Sequence, residues 1–316
     1  MTQRMGISVV IRALNEGEHI GRLLKGFSQQ TRQPDEIILV DSGSTDNTVE
    51  IAEAAGCRIV HIDKSDFSFG RALNLGCSHA KHDILIFTSA HVYPIYDTYV
   101  ENLVGAFLNP GVGIAYGRQV GNEQTKFSES RIFLKWFPNK NDWDQRHPFS
   151  NNANAAVLKE LWCQLPYNES LTGLEDLDFA KRALDLGQKI SYVADAPVIH
   201  VHQENWDGTR NRYRREAIAY SHIIDGSKMS LLQATRLAVS NITSDYFHAL
   251  KTHKFVANLL SIPLFRSAQF VGAWQGFNSA DKVSDQLLNR FYYPSRPQNQ
   301  SSTNKLGREV QYSGEQ

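Results

Sequence analysis

Glu36-Ile-Ile-Leu-Val-Asp-Ser-Gly-Ser-Thr-Asp46 reads as a strand that ends in a carboxylate and turns straight into a helix start. Consecutive apolar residues, mostly β-branched, suit a strand covered on both faces, as in a parallel sheet. Gly43 supplies the turn, and Ser44 is expected to cap a helix running to Ala55 with Gly56 just past its end. Working outward, Ile7-Ser-Val-Val-Ile-Arg-Ala13 repeats the strand pattern. A helical stretch from Glu16 to Phe27 follows it, with Ile20, Leu23, Leu24 and Phe27 on one face. Arg58–Ile62 and Asp83–Phe87 are two further strands, separated by a helix over Phe69–Ala80. Strands alternating with helices predict an α/β fold, a mostly parallel sheet flanked by helices.

Beyond Gly117 the alternation loosens. Phe127–Asn154 reads as aromatic-rich loops around a cleft, followed by helices over Ala155–Cys163 and Glu175–Leu186 and a strand over Lys189–Val193. Residues 205–293 look helical. The segment from Pro294 is rich in Ser, Gln and Asn and is expected to be a disordered tail. The expected division is therefore 1–204 (with halves at 1–117 and 118–204), 205–293 and 294–316.

Charge narrows the function classes. The 316 residues carry 33 Lys+Arg against 33 Asp+Glu, which argues against a nucleic-acid binder. The balance hides an uneven distribution, because residues 205–270 hold nine Lys/Arg against four Asp/Glu. With apolar stretches such as Phe255, Leu259, Leu260, Ile262 and Phe265, this region reads first as packed helices and second as a peripheral surface for an anionic membrane. No apolar run is long enough for a transmembrane helix, and the N-terminus lacks a signal-peptide cleavage pattern, so a cytoplasmic location is expected. Cys57, Cys77 and Cys163 are too few and scattered for a disulfide framework.

Four motifs could carry chemistry. Asp41 ends a strand at the edge where open α/β sheets bind ligands, and can accept from a base imide or a ribose hydroxyl. The Gly-x-Gly-x-x-Gly fingerprint is missing, which weakens a nicotinamide reading. Phe87-Thr-Ser89-Ala90-His91 places a histidine at the same edge. Thr172-Gly-Leu-Glu175-Asp176 reads as a capping box, which accounts for Glu175 better than for Asp176; an acid at a helix start facing a cleft is a candidate general base. His200-Val-His202 would put both imidazoles on one face of an extended segment.

Taken in order, with Arg71-Ala-Leu-Asn74-Leu-Gly and Phe149-Ser-Asn-Asn-Ala-Asn154, these motifs resemble the inverting family 2 glycosyltransferases of GT-A fold over roughly residues 6–220. Within that family they look like the bacterial rhamnosyltransferase-like enzymes. The resemblance implies a UDP- or dTDP-sugar donor and a saccharide or lipid-linked acceptor in surface polysaccharide synthesis. Ala13, Asn15, Glu16, Asp41 and Ser42 would hold the nucleoside. Arg71, Asn74, Ser89 and Ala90 would lie by the diphosphate or sugar. Asn154 and Trp206 would face the acceptor, and Asp176, beside Glu175, would be the base. The family's metal-binding Asp-x-Asp is Ser89-Ala-His91 here. His91 and His202 would share one divalent cation with the diphosphate, Mn²⁺ suiting imidazole better than Mg²⁺. The rivals are metal-free catalysis with both histidines as donors to phosphate, and a binding protein that has lost activity.

Overall fold

The computed structural model describes residues 5–201, 204–224, 228–279 and 307–312. Its strands are β1 (Ile7–Ala13), β2 (Glu36–Asp41), β3 (Arg58–His61), β4 (Ile84–Ser89), β5 (Val92–Pro94), β6 (Val112–Val120), β7 (Asp142–Gln145), β8 (Asn154–Leu158) and β9 (Lys189–His200). The helices are α1 (Ile20–Ser28), α2 (Thr48–Ala54), α3 (Phe69–His79), α4 (Tyr99–Gly105), α5 (Phe127–Trp136), α6 (Lys159–Gln164), α7 (Glu175–Asp185), α8 (Trp206–Ile223), α9 (Leu231–Lys251), α10 (Phe255–Asn258) and α11 (Ser261–Phe277).

One sheet runs β3-β2-β1-β4-β8-β6-β9-β5, with β7 also on β9. The β3-β2-β1-β4 half is parallel throughout, and antiparallel pairing enters at β8. The expected α/β architecture is present. In β1, Val9 and Ile11 enter the core under α1 and α4, while Val10 enters the core under α3 and α7. A strand buried on both faces is apolar on both, as Val9-Val10-Ile11 is, which is why periodicity two is absent from its sequence.

Several local expectations are corrected. The stretch Ala155–Cys163 is not one helix: β8 occupies its start and α6 its end. Ala155 and Val157 enter one core and Ala156 the other, a strand's alternation hidden by small side chains. Phe127–Asn154 is not all loop, since it contains α5 and β7. Helix α2 starts at Thr48 rather than at a Ser44 cap, because Ser44 Oγ accepts the Asn15 N–H (2.9 Å). No capping box precedes α7; Leu174 sits there at φ +54°, and Thr172 Oγ1 donates to the Arg215 carbonyl (3.1 Å).

Helices α8, α9 and α11 form a third core around Leu177, Tyr220, Leu237, Phe270 and Phe277. Gly272 and Gly276 of α11 face the Arg210 and Arg214 carbonyls of α8, where a methyl group would collide with backbone. Of the apolar residues singled out in this region, Ile262 and Phe265 are buried and Leu259 and Leu260 are exposed. No described helix is long and apolar enough to cross a membrane. Part of the expected disordered tail is ordered: Asp97 donates its N–H to the Arg308 carbonyl (2.9 Å), Val310 donates to the Ile95 carbonyl (2.9 Å), and Tyr312 donates its hydroxyl to the Pro94 carbonyl (2.5 Å). An edge segment with unpaired backbone groups thus takes its partners from the same chain through a single bridge, Tyr96 to Glu309.

Candidate active site

Ala13, Asp41 and Ser89 end three adjacent parallel strands, with Ala13 paired to Asp41 and Arg12 to Ser89. The loops at these strand ends are stitched together. Asn15 stands at φ +55°, and its Oδ1 accepts the Thr45 N–H (2.8 Å). The Glu16 N–H donates to Thr48 Oγ1 (2.7 Å), the Gly17 N–H to Asp46 (2.9 Å), and Ser42 to the Ala13 carbonyl (3.1 Å). Asp41 is buried; its carboxylate accepts the N–H groups of Gly43 and Ser44 (3.1 Å each) and lies 3.4 Å from His61 Nδ1. Six sequence-predicted residues, Ala13, Asn15, Glu16, Asp41, Ser42 and Ser89, thus converge on one rim, with Ala90 buried beneath it.

Arg12 links this rim to α7. Its guanidinium pairs with Glu175 Oε1 (3.0 Å), donates to the Phe69 carbonyl (3.3 Å) and lies 5.0 Å from the Phe69 ring centre. Arg215 of α8 covers the same ring at 4.7 Å. The neighbouring Asp176 carboxylate accepts the Asn152 N–H (3.1 Å) and the Leu177 N–H (2.8 Å). Burial and the adjacent Glu175 charge push its pKa up to about 7, against the two N–H donors and Arg12, which lower it. Arg12 was not singled out from sequence. The signal was a lone cation near the carboxyl end of an otherwise apolar strand.

His91 leaves β4 at the same edge. Its Nδ1 lies 2.9 Å from Glu16 Oε1, and its ring stacks on His200 (centroids 5.2 Å), which stacks on Phe133 (6.0 Å). His200 Nδ1 in turn lies 2.7 Å from Gln119 Oε1. A carboxylate on Nδ1 selects the tautomer whose lone pair is on Nε2, the usual support of a metal-binding histidine. Among the described residues no three His, Cys, Asp or Glu side chains converge as a closed metal cage. His91 is thus a single imidazole donor, and an ion held there would need its other ligands from outside the described residues. His202 lies outside the described residues.

Other expected residues lie elsewhere. All four hydrogen-bonding places of the Asn74 amide are used, by Tyr167, Glu169 and Trp162, so Asn74 shapes the 162–169 segment. Arg71 joins it there through Glu169 (2.9 Å). Asn154, expected toward the acceptor, is completely buried and holds the Tyr99 hydroxyl and the Arg118 and Ala196 carbonyls. Its amide pins three elements and has no face left for a ligand. Trp206 opens α8, donates to Ser267 Oγ (3.1 Å) and lies under Arg210.

Comparison with known proteins matches residues 8–162 to the family described as Glycosyl transferase family 2. The O-antigen chain rhamnosyltransferase RfbN of Salmonella typhimurium is 28% identical over 63% of this chain and 67% of its own length. The O-antigen chain rhamnosyltransferase WbaN of Salmonella anatum is 28% identical over 56% and 59%. The chain thus spans about three fifths to two thirds of these relatives. Among solved structures, a mannosyltransferase of Pyrobaculum calidifontis, determined with GDP-Man and Mn²⁺, shares the fold at TM-score 0.62 and 18% identity, covering 87% of this chain and 88% of that one. With its strand edge, its domain match and its fold in agreement, this chain carries a family 2 glycosyltransferase domain over residues 8–162, in a GT-A fold.

Proposed function

We propose that the protein is an inverting transferase that moves a hexose or deoxyhexose from a UDP- or dTDP-sugar to a saccharide or lipid-linked saccharide at the cytoplasmic face of a membrane, in surface polysaccharide synthesis. The observation that carries this reading is Asp176. It is a carboxylate oriented by two backbone N–H groups, raised toward neutral pKa, and joined through Glu175 and Arg12 to the rim that ends β1, β2 and β4. A base with a pKa near the working pH combines an adequate ionised fraction with proton affinity. In the proposed step Asp176 takes the acceptor hydroxyl proton while that oxygen bonds the anomeric carbon. The bond from that carbon to the diphosphate oxygen breaks, and the nucleoside diphosphate leaves. One displacement inverts the configuration. Asn15, Glu16, Asp41 and Ser42 are the residues proposed for the nucleoside, and the resemblance to the Salmonella rhamnosyltransferases supports a deoxyhexose.

His91, oriented by Glu16, is the residue proposed to hold a divalent cation, with His202 as the proposed second ligand. A bound cation would supply charge neutralisation for the departing diphosphate. Imidazole favours Mn²⁺ over Mg²⁺. His91→Ala is expected to weaken donor binding at least tenfold and to abolish any Mn²⁺ dependence of that binding, read by calorimetry with nucleoside diphosphate. Wild-type protein that binds equally with Mn²⁺ and with EDTA would sink the metal assignment. The reading as a whole is tested by incubating the chain with UDP-, dTDP- and GDP-sugars and measuring released nucleoside diphosphate and the anomeric configuration of the product. Retention of configuration, or no release with any donor and acceptor, would overturn it.

Arg12 should tune the base. Arg12→Ala removes the cation facing Glu175, so the acid limb of the kcat/KM profile is expected to move to higher pH, and Arg12→Lys should largely restore it. An unmoved limb would separate Arg12 from Asp176.

A further inference from the structure

The turn between α9 and α11 exposes an unusual set of side chains. Phe247, Leu250, Val256, Leu259, Leu260 and Leu264 all face solvent, Val256 at 86% and Leu260 at 74% exposure. Lys251 and Lys254 stand exposed among them, and Lys251 Nζ lies 4.4 Å from the Phe247 ring centre. From Tyr246 to Ser279 the sequence has no Asp or Glu. The tip is held in shape: the Tyr246 hydroxyl donates to the Leu259 carbonyl (2.6 Å), the Tyr246 and Phe255 rings meet at 5.2 Å, and His253 turns the chain at φ +56°. Its apolar side chains therefore cannot fold back to bury one another.

We infer that residues 247–264 form a docking tip for an anionic lipid bilayer, with the apolar side chains entering the interfacial layer and Lys251 and Lys254 meeting the headgroups. The charge pattern selects this occupant. A second copy of the tip would set the same lysines against each other with no acid to answer them, whereas an anionic surface satisfies both lysines. Exposed apolar side chains beside lysines suit an interfacial, peripheral contact, and no described helix is long and apolar enough to span the bilayer. The tip is also continuous with the starts of α8 and α5. Ser267, one turn beyond Leu264, accepts from Trp206, and Phe127 meets His248 at 6.0 Å, next to Lys126, which donates to the Glu204 carbonyl. The inference rests on the proposed function only for why a lipid surface would be useful. Binding itself is read without turnover.

The test is flotation of the full chain with phosphatidylglycerol/phosphatidylcholine vesicles and with phosphatidylcholine vesicles alone. Binding is expected to the anionic vesicles and to fall as salt rises. Each lysine at an anionic surface contributes about fivefold, so Lys251→Glu with Lys254→Glu should weaken partitioning by more than tenfold. Val256→Asp with Leu260→Asp should do the same, while Leu108→Asp, an equally exposed apolar position after α4, should not. All are surface changes, and unchanged melting curves would establish that the variants fold. No flotation with anionic vesicles at low salt, or flotation indifferent to both tip pairs, would overturn the inference. So would a dimer in solution that both tip pairs dissociate. Loss of sugar transfer with flotation intact would count against the proposed function and leave the docking tip standing.

Discussion

Asp176→Asn is expected to lower kcat by about 10²–10⁴-fold, the usual contribution of a positioned general base. In free energy that is about 3–5 kcal/mol of transition-state stabilisation. Donor binding should change little, because Asp176 faces Asn152 and Leu177 rather than the stitched loops around Asn15 and Asp41. The wild-type pH profile should carry the same signature. The base works only when ionised, and burial beside Glu175 holds its pKa up to about 7. Activity should therefore fall as pH drops below about 7, roughly tenfold per unit, and level off above. In Asp176→Asn that acid limb should vanish along with most of the rate. Turnover near wild type in the variant would remove Asp176 from the chemistry. A retained acid limb would assign the titration to another group.

Much of this arrangement was legible in the sequence, for a physical reason. Strands β1, β2 and β4 are buried on both faces, so their apolar runs are unambiguous, and the residues after each run fall at the ligand edge by topology alone. Asp41 and His91 were located that way, and the Asn15-Glu16 turn through the family resemblance. The second half was harder. Ala155 and Ala156 are too small to display a strand's alternation, and Asn154, placed toward the acceptor by the resemblance of its segment, is a buried residue that polarity alone does not distinguish from one lining a cleft. Only the structure shows its amide pinned by Tyr99, Arg118 and Ala196. The Asn74 side chain is engaged by the 162–169 segment, a contact that no local pattern encodes. Arg12 and the stack of His91 on His200 and Phe133 depend on contacts between residues distant in sequence, which no local pattern encodes.

The largest stability effect is expected at Asp245. Its carboxylate, 3% exposed, accepts Arg266 Nε at 2.8 Å and lies 4.0 Å from Arg131. Arg266 continues to Gln269 (2.7 Å) and the Ser128 carbonyl (3.4 Å), so one buried ion pair ties α9, α11 and α5. Asp245→Ala leaves the Arg266 guanidinium buried without its counter-charge and should cost about 3–5 kcal/mol, a drop in Tm of several degrees or more. The pair need not be intrinsically stabilising. Desolvating two charges offsets most of their attraction, so Asp245→Leu combined with Arg266→Met should recover most of the loss. A single-variant loss under about 1 kcal/mol by chemical unfolding would show that the pair is open to water. The consequence should reach the catalytic edge, because α5 carries Phe133, whose ring supports His200 and through it His91. Below its melting temperature Asp245→Ala should therefore raise KM for the donor while leaving the acid limb of Asp176 in place. The Leu/Met double variant should restore both stability and KM, since it rebuilds the packing under α5 without the charges.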